Sequence, residues 1–217
     1  MAKTNWSYDS VANFYQTLAQ IYSLGLIRRS KNLQLMEMKE GTKVLYVGCG
    51  SGEDAVQAAK LGAKVTCIDI SPKMIRNIEL RLQREKVSAR LICGDIFEHL
   101  EYESYDIVTV NYFLNNFPSN VLPKLLKHIT SLIKKDGKLM IADFFALSQN
   151  KVLKIIEIAN FYVAVCFFWL LRVAPLHKYQ NYVSYFKEIG ISLERIDTVR
   201  FLNIGIPLYG NIVGFKN

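Results

Sequence analysis

Between the apolar run Lys43-Val44-Leu45-Tyr46-Val47 and the helix-compatible stretch Glu53 to Leu61 stand three alternating glycines, Gly48-Cys49-Gly50-Ser51-Gly52. A glycine turn at a strand-to-helix junction lets the main chain approach a ligand closely and sets backbone N–H groups and a helix N-terminus beside it. Alone, GxGxG is a weak signal. Asp69 strengthens it, because it ends the second apolar run, 21 positions after Gly48, where a carboxylate can accept hydrogen bonds from both hydroxyls of a ribose. A third run, Arg90 to Cys93, breaks into Gly94-Asp95-Ile96 and supplies another carboxylate. A dinucleotide site wants GxGxxG, with its third glycine packing helix on strand. GxGxG followed by two carboxylates favours S-adenosylmethionine (SAM) instead.

These residues need elements to hold them. Apolar residues recur at helical spacing from Asp9 to about Met38, which predicts a helical lid over residues 1–40 ahead of the main fold. Strands then alternate with helices: Lys43 to Val47, Ala63 to Asp69, Arg90 to Cys93, Tyr105 to Val110 and Lys138 to Asp143 as strands, with Ser71-Pro72 starting one helix and another running from about Asn120 to Ile133. That alternation implies parallel pairing with helices on both faces. Ile191 to Phe201 and Leu208 to Phe215, joined by Asn203 to Pro207, read as an antiparallel hairpin. The expectation is an α/β, doubly wound, mostly parallel seven-stranded sheet of Rossmann-like type, closed by that hairpin.

With 217 residues, 51% hydrophobic and 21% charged, the chain suits one domain over 1–217 and excludes a collagenous or disordered protein. The net charge of +8 would tolerate nucleic acid or an acidic membrane, but the basic residues are scattered, and no groove of aromatic and basic residues has the spacing of a base reader. No nucleic-acid partner is expected. Cys49, Cys67, Cys93 and Cys166 form no CxxC pair, so no metal is expected, and a reducing cytoplasm is the simplest home. Met1 to Trp6 lacks the apolar run of a secretory signal.

The sequence resembles the class I SAM-dependent methyltransferases, and within them the C-methyltransferases of menaquinone and ubiquinone synthesis. The resemblance is carried by Tyr8 to Ala12 with Tyr15, Ser23 to Leu26, the glycine turn, Asp106 to Val110, Leu114-Asn115-Asn116, Asp136 to Leu139 and Gly205 to Gly210. It implies SAM as cofactor, with Gly48, Gly50 and Gly52 around its methionine part, Asp69 on the ribose, and Asp95 with the Ile96 amide on the adenine. Asn111 would line the sulfonium, and Tyr46, Cys49 and Ile70 complete the cofactor set. Tyr46 stands where the family usually has an acidic residue for the methionine ammonium, and Asn115 stands in place of an arginine. Asp143 and Tyr15 are the nearest substitutes for the missing charge.

Displacement at a sulfonium asks the protein for alignment and a dry pocket, plus a proton acceptor if the nucleophile is a phenol, ring carbon or thiol. His177, in Pro175 to Tyr179, is the first candidate, and a loop histidine with one structural hydrogen bond is the alternative. His99 and His128 read as surface residues. Ile158 to Leu171 is apolar around its whole circumference and, at fourteen residues, short of the roughly 20 that cross a bilayer. It is read either as a buried helix or, within a substrate-covering insert over 150–188, as the wall of a greasy acceptor pocket or a face resting on a membrane. The expected activity is methyl transfer from SAM to a hydrophobic or aromatic small molecule. Cleavage or rearrangement of SAM at another carbon, and a non-catalytic SAM-binding protein, are the alternatives. Oligomeric state is left open.

Overall fold

The structure, a computed structural model, describes residues 23–144, 150–170, 176, 178–200 and 209–217. Tyr15, His177, the first part of the expected lid and the connection at 203–207 lie outside the described residues.

Seven strands form one sheet in the order β3-β2-β1-β4-β5-β7-β6. They are β1 Lys43–Val47, β2 Lys64–Asp69, β3 Arg90–Cys93, β4 Tyr105–Val110, β5 Ile133–Phe144, β6 Ile191–Val199 and β7 Tyr209–Lys216. β1 to β5 are mutually parallel where they pair, and β7 runs antiparallel to both β5 and β6. The doubly wound sheet with one reversed strand is therefore as the alternation of runs implied. Since β1 is flanked by β2 and β4, the chain changes winding direction there, and the crevice at the C-terminal ends of β1 and β4 is where such sheets bind ligands.

Among the described residues five α-helices accompany the sheet: α1 Leu26–Asn32, α2 Glu53–Lys60, α3 Pro72–Glu85, α4 Leu122–Leu132 and α5 Lys151–Leu170. The strand period of two divides each strand between faces. Leu45 and Val47 join Val108, Val110 and Leu139 beneath Leu122, Leu125, Leu126 and Ile129 of α4. Val44 and Tyr46 face the other way, among Ala55, Val56, Ala58 and Ile78 of α2 and α3. Ser71 caps α3, its Oγ accepting from the Met74 N–H at 3.1 Å, with Pro72 at the first helical position as expected.

Within the described part of the expected lid, Leu24 and Gly25 adopt positive φ (49° and 81°), α1 starts after them, and Leu33–Glu37 is a 3-10 turn. A left-handed pair cannot sit inside an α-helix, so the apolar spacing spans a corner. β5 starts at Ile133, not Lys138; the charged run Lys134-Lys135-Asp136-Gly137 masks its beginning, and the register shifts beside it. α5 is twenty residues long and is not buried all round. Phe161, Ala164 and Val165 pack against Leu26, Phe144, Val199 and Tyr209, whereas Ile155, Val163 and Trp169 stand in solvent. Among the described residues no helix is long and apolar enough to cross a membrane.

Candidate functional site

The glycine turn follows β1 with Gly48, Gly50 and Gly52 all at positive φ (61°, 52° and 64°). Two of them carry the argument. A Cβ on Gly48 would lie 2.1 Å from Cδ2 of Phe113, so the ring after β4 rests directly on the turn. A Cβ on Gly50 would meet nothing within 4 Å, so the turn opens into free space there, as a main chain facing a ligand must. The Gly52 N–H closes the turn on the Cys49 carbonyl at 2.9 Å, and α2 begins with no side-chain cap on its N-terminal amides.

Asp69 ends β2 beside this turn. Its Oδ2 accepts from the Gly50 N–H at 3.0 Å and its Oδ1 from the Ser71 N–H at 2.9 Å. The carboxylate is thereby fixed in direction. Ile70, next in chain, is 67% exposed and forms a ledge at the rim. Asp95 follows β3, where its Oδ1 accepts from the Phe97 N–H at 3.0 Å and starts the 3-10 turn Ile96–Glu98. Ile96 is buried, its carbonyl bonded to His128 Nε2 at 2.8 Å. His128, half-buried on α4, thus makes a structural bridge, and His99 is buried against the Tyr105 hydroxyl at 3.0 Å and is not the surface residue expected.

Where a charge is expected at position 46, the structure places a phenol that burial, followed by the nearby Asp54, pushes well above its usual pKa. Its hydroxyl donates to the Asp54 carbonyl at 3.4 Å. The acid at this corner is Asp54 itself, in the first turn of α2, with a side chain only 5% exposed. Its Oδ2 accepts from Asn111 Nδ2 at 2.9 Å; its Oδ1 makes no hydrogen bond and faces the Lys31 ammonium of α1 at 3.5 Å. Asn111 lies in a buried network: its Nδ2 also donates to Gln34 Oε1 (2.9 Å), and its Oδ1 accepts from Gln34 Nε2 (2.8 Å) and the Ala142 N–H (3.1 Å). Gln34 extends that network to Asn211 on β7 at 3.0 Å. Asp54 and Gln34 were missed from sequence. The only cue for Asp54 was an acidic first turn after the glycines. The hydrogen bond with Cys67 and burial both push the Cys49 thiol well above the usual range.

Across the crevice, Asp143 near the end of β5 is 1% exposed. Burial raises its carboxyl to about 7, although the Phe144 N–H (2.8 Å), the Tyr182 hydroxyl (3.0 Å) and Asn115 Nδ2 (3.4 Å) all donate to it. Asp143 and Asp54 share no hydrogen-bond partner among those described. The segment after β4 carries aromatic pairs: Phe113 on Phe117 with ring centres 5.0 Å apart, and Tyr112 on Phe144 at 5.7 Å. Among the described residues no group of three or more His, Cys, Asp or Glu is placed to hold a metal.

A family model described as "Methyltransferase domain" matches residues 38–190. The chain belongs to this methyltransferase family. Its match covers the glycine turn, both carboxylates and the Asp143 cluster together, and the family's cofactor is SAM. The ribosomal protein L11 methyltransferase of Ruminiclostridium cellulolyticum is 40% identical over 118 residues, 49% of this chain and 37% of that protein. The ubiquinone/menaquinone biosynthesis C-methyltransferase UbiE of Hydrogenovibrio crunogenus is 27% identical over 172 residues, 73% of this chain and 65% of that protein. The chain spans 36% to 65% of the lengths of such curated relatives. Magnesium protoporphyrin IX methyltransferase from Synechocystis, solved with bound S-adenosylhomocysteine, shares the fold with a TM-score of 0.67 at 16% identity, covering 94% of this chain and 87% of that one. The residues present fit SAM at the open Gly50 turn, at Asp69 and at the buried Asp54 oxygen that lacks a hydrogen bond.

Proposed function

We propose that this methyltransferase moves the methyl group of SAM to a hydrophobic, ring-bearing small molecule. The observation that carries it is the convergence, at the C-terminal edge of β1, β2 and β3, of a turn open at Gly50 with two carboxylates fixed in direction by backbone N–H groups. Aromatic side chains after β4 and at the end of β5, and the quinone biosynthesis named for relatives such as UbiE, support a ring-bearing acceptor.

When bound, SAM supplies an electrophilic methyl on a sulfonium. The chain's part is alignment and exclusion of water. The backbone of Gly48 to Gly52 and the α2 amides receive the methionine end, Asp69 holds the ribose, and Asp95 marks the adenine side. Asp54 supplies the negative charge that Tyr46 lacks, its Oδ1 already turned toward one ammonium, that of Lys31. Phe113 roofs the turn and keeps water from it. Asp143, able to take up or release a proton near neutrality, stores the proton that the acceptor loses.

Calorimetry with SAM, followed by mass spectrometry of reactions containing demethylated quinols and other phenols, tests this. SAM binding and acceptor-dependent S-adenosylhomocysteine are expected, and failure to bind SAM would end the proposal. Asp54→Asn should weaken SAM binding by about 10-fold to 100-fold, the worth of a charge-assisted hydrogen bond, with a smaller loss for a SAM analogue lacking the amino group. Equal losses for both ligands would remove Asp54 from the ammonium site. A second reading, reaction at another carbon of SAM, is favoured by the uncharged, buried Tyr46 and the Lys31–Asp54 pair at the methionine end. Methylthioadenosine among the products would select it, and S-adenosylhomocysteine alone would exclude it.

A further inference from the structure

α5 is apolar on the side that packs on the sheet and apolar again on the side that faces solvent. Its outward line is Val152, Ile155, Ala159, Tyr162, Cys166 and Trp169, spaced 3, 4, 3, 4 and 3 residues apart, and all six are exposed. Ile155 is 67% exposed and Trp169 43%. Val163 and Leu170, 58% and 71% exposed, broaden the line on one flank. Alternating threes and fours are the period by which one helix meets another along a shared seam, at a crossing angle of roughly 20°. A helix apolar all round is normally covered on every side, and among the described residues nothing covers this one.

We propose that the outward face of α5 pairs two copies of this chain about a two-fold axis, helix against antiparallel helix. The sequence of the seam is self-complementary in that arrangement and in no parallel one. With the axis between Ala159 and Tyr162, Ala159 of each copy faces Tyr162 of the other, Ile155 faces Cys166, and Val152 faces Trp169. Each pair sets a small or medium side chain against a larger one, as interdigitation requires. Parallel pairing would instead stack Trp169 on Trp169 and Ala159 on Ala159.

Charge selects the same orientation. The exposed charges of α5 are Lys151 and Lys154, both in its first turn, while Glu157 is buried on the opposite side. Parallel helices would bring four ammonium groups together. Antiparallel helices of twenty residues separate the two pairs by roughly 25–30 Å and put each beside the negative C-terminal end of the other helix. The exposed apolar residues of the seam and its flank offer on the order of 800 Å² per copy, the size of a stable interface and more than the largest patch of a typical monomer. A lipid surface fits less well, because a helix lying in a bilayer presents charged residues opposite its apolar face, and here that opposite face is the one packed on Phe144 and Tyr209.

The test is the oligomeric state of the full chain. Light scattering after size exclusion is expected to give about twice the 24.9 kDa chain mass at micromolar concentration. Ala159→Glu, at a position exposed in the single chain, is expected to give monomer with an unchanged circular dichroism spectrum and at least 100-fold weaker association. Ile155→Cys, in a Cys93→Ser background, places a thiol opposite Cys166 of the second copy, so mild oxidation should give a covalent dimer. Cys166 alone should not crosslink, because the two Cys166 residues lie roughly 16 Å apart along the antiparallel seam. A wild-type monomer at all concentrations, a dimer indifferent to Ala159→Glu, or ready crosslinking through Cys166 alone would each overturn the proposal. So would a monomer that sediments with phosphatidylglycerol vesicles and is released by Ala159→Glu, which would give the face to lipid.

Discussion

Gly48→Ala is expected to be the most damaging single-methyl change in the crevice, lowering stability by about 2–5 kcal/mol and the melting temperature by roughly 5–15 °C. Two effects add. The residue sits at φ 61°, where an L side chain costs about 1–2 kcal/mol. Its Cβ would also lie 2.1, 2.7 and 2.8 Å from Cδ2, Cε2 and Cγ of Phe113. These atoms are one side of an aromatic ring and not the tip of a flexible chain. The ring could yield only by swinging away from Phe117, its T-shaped neighbour. Gly50→Ala provides the contrast. At φ 52° it carries similar backbone strain, but its Cβ meets nothing within 4 Å, so a loss of only about 1–2 kcal/mol is expected. If the space beyond Gly50 receives the methionine end of SAM, Gly50→Ala should nevertheless weaken SAM binding at least 10-fold. Differential scanning fluorimetry with and without SAM separates the two variants. A Gly50→Ala protein stabilised by SAM as strongly as the wild type would place the ligand elsewhere.

The same contrast shows how far the sequence could be read. β1 to β3 were legible because each is a short apolar run ended by a glycine or a carboxylate, and the C-terminal ends of parallel strands meet at one edge by topology alone. Gly48 and Asp69 could therefore be assigned to one crevice from a spacing of 21 residues. The buried network at its centre could not. Gln34 meets Asn111 across 77 positions and Asn211 across 177, and no local pattern distinguishes a glutamine that faces inward from one that faces solvent. Asp54 was hidden for a related reason: in a first helical turn an acidic residue is explained by the helix dipole, which says nothing of an Asn111 amide waiting 57 positions away. For α5 the difficulty lay in the method of reading. Periodicity reports a face only when polar and apolar residues alternate around a helix, and the nearly uniform stretch from Ile158 onward carries no such contrast. Which side packs on Phe144 was decided by the sheet.

Asp143 gives the other large effect, and it is one of pH. Burial holds its carboxyl near 7 in the folded protein, whereas the unfolded chain returns it to the ordinary value of 3.8. Between those values the folded state binds one proton more than the unfolded state, so the stability this group contributes is fully present below about pH 4 and is lost as pH rises through about 7. Three pKa units correspond to roughly 4 kcal/mol, and the interval from pH 5 to 7 to about 2 kcal/mol. Asp143→Asn keeps the side-chain shape and an acceptor for the Phe144 N–H but cannot ionise. Its melting temperature should fall less than that of the wild type between pH 5 and 8, by about 6–10 °C, because all other titrating groups are common to both proteins. Identical slopes would mean that Asp143 is ionised throughout, stabilised by Tyr182 and Asn115 more than it is penalised by burial. The same carboxyl should appear in catalysis if it takes up the acceptor's proton: kcat/KM would rise toward an apparent pKa near 7 in the wild type and lose that inflection in Asp143→Asn. Tyr182→Phe separates the two roles. It removes the hydroxyl that donates to Oδ2 at 3.0 Å, which should push the carboxyl pKa higher and move both the stability slope and the rate inflection to higher pH. A shift in stability alone would leave Asp143 a buried structural acid with no part in moving the proton.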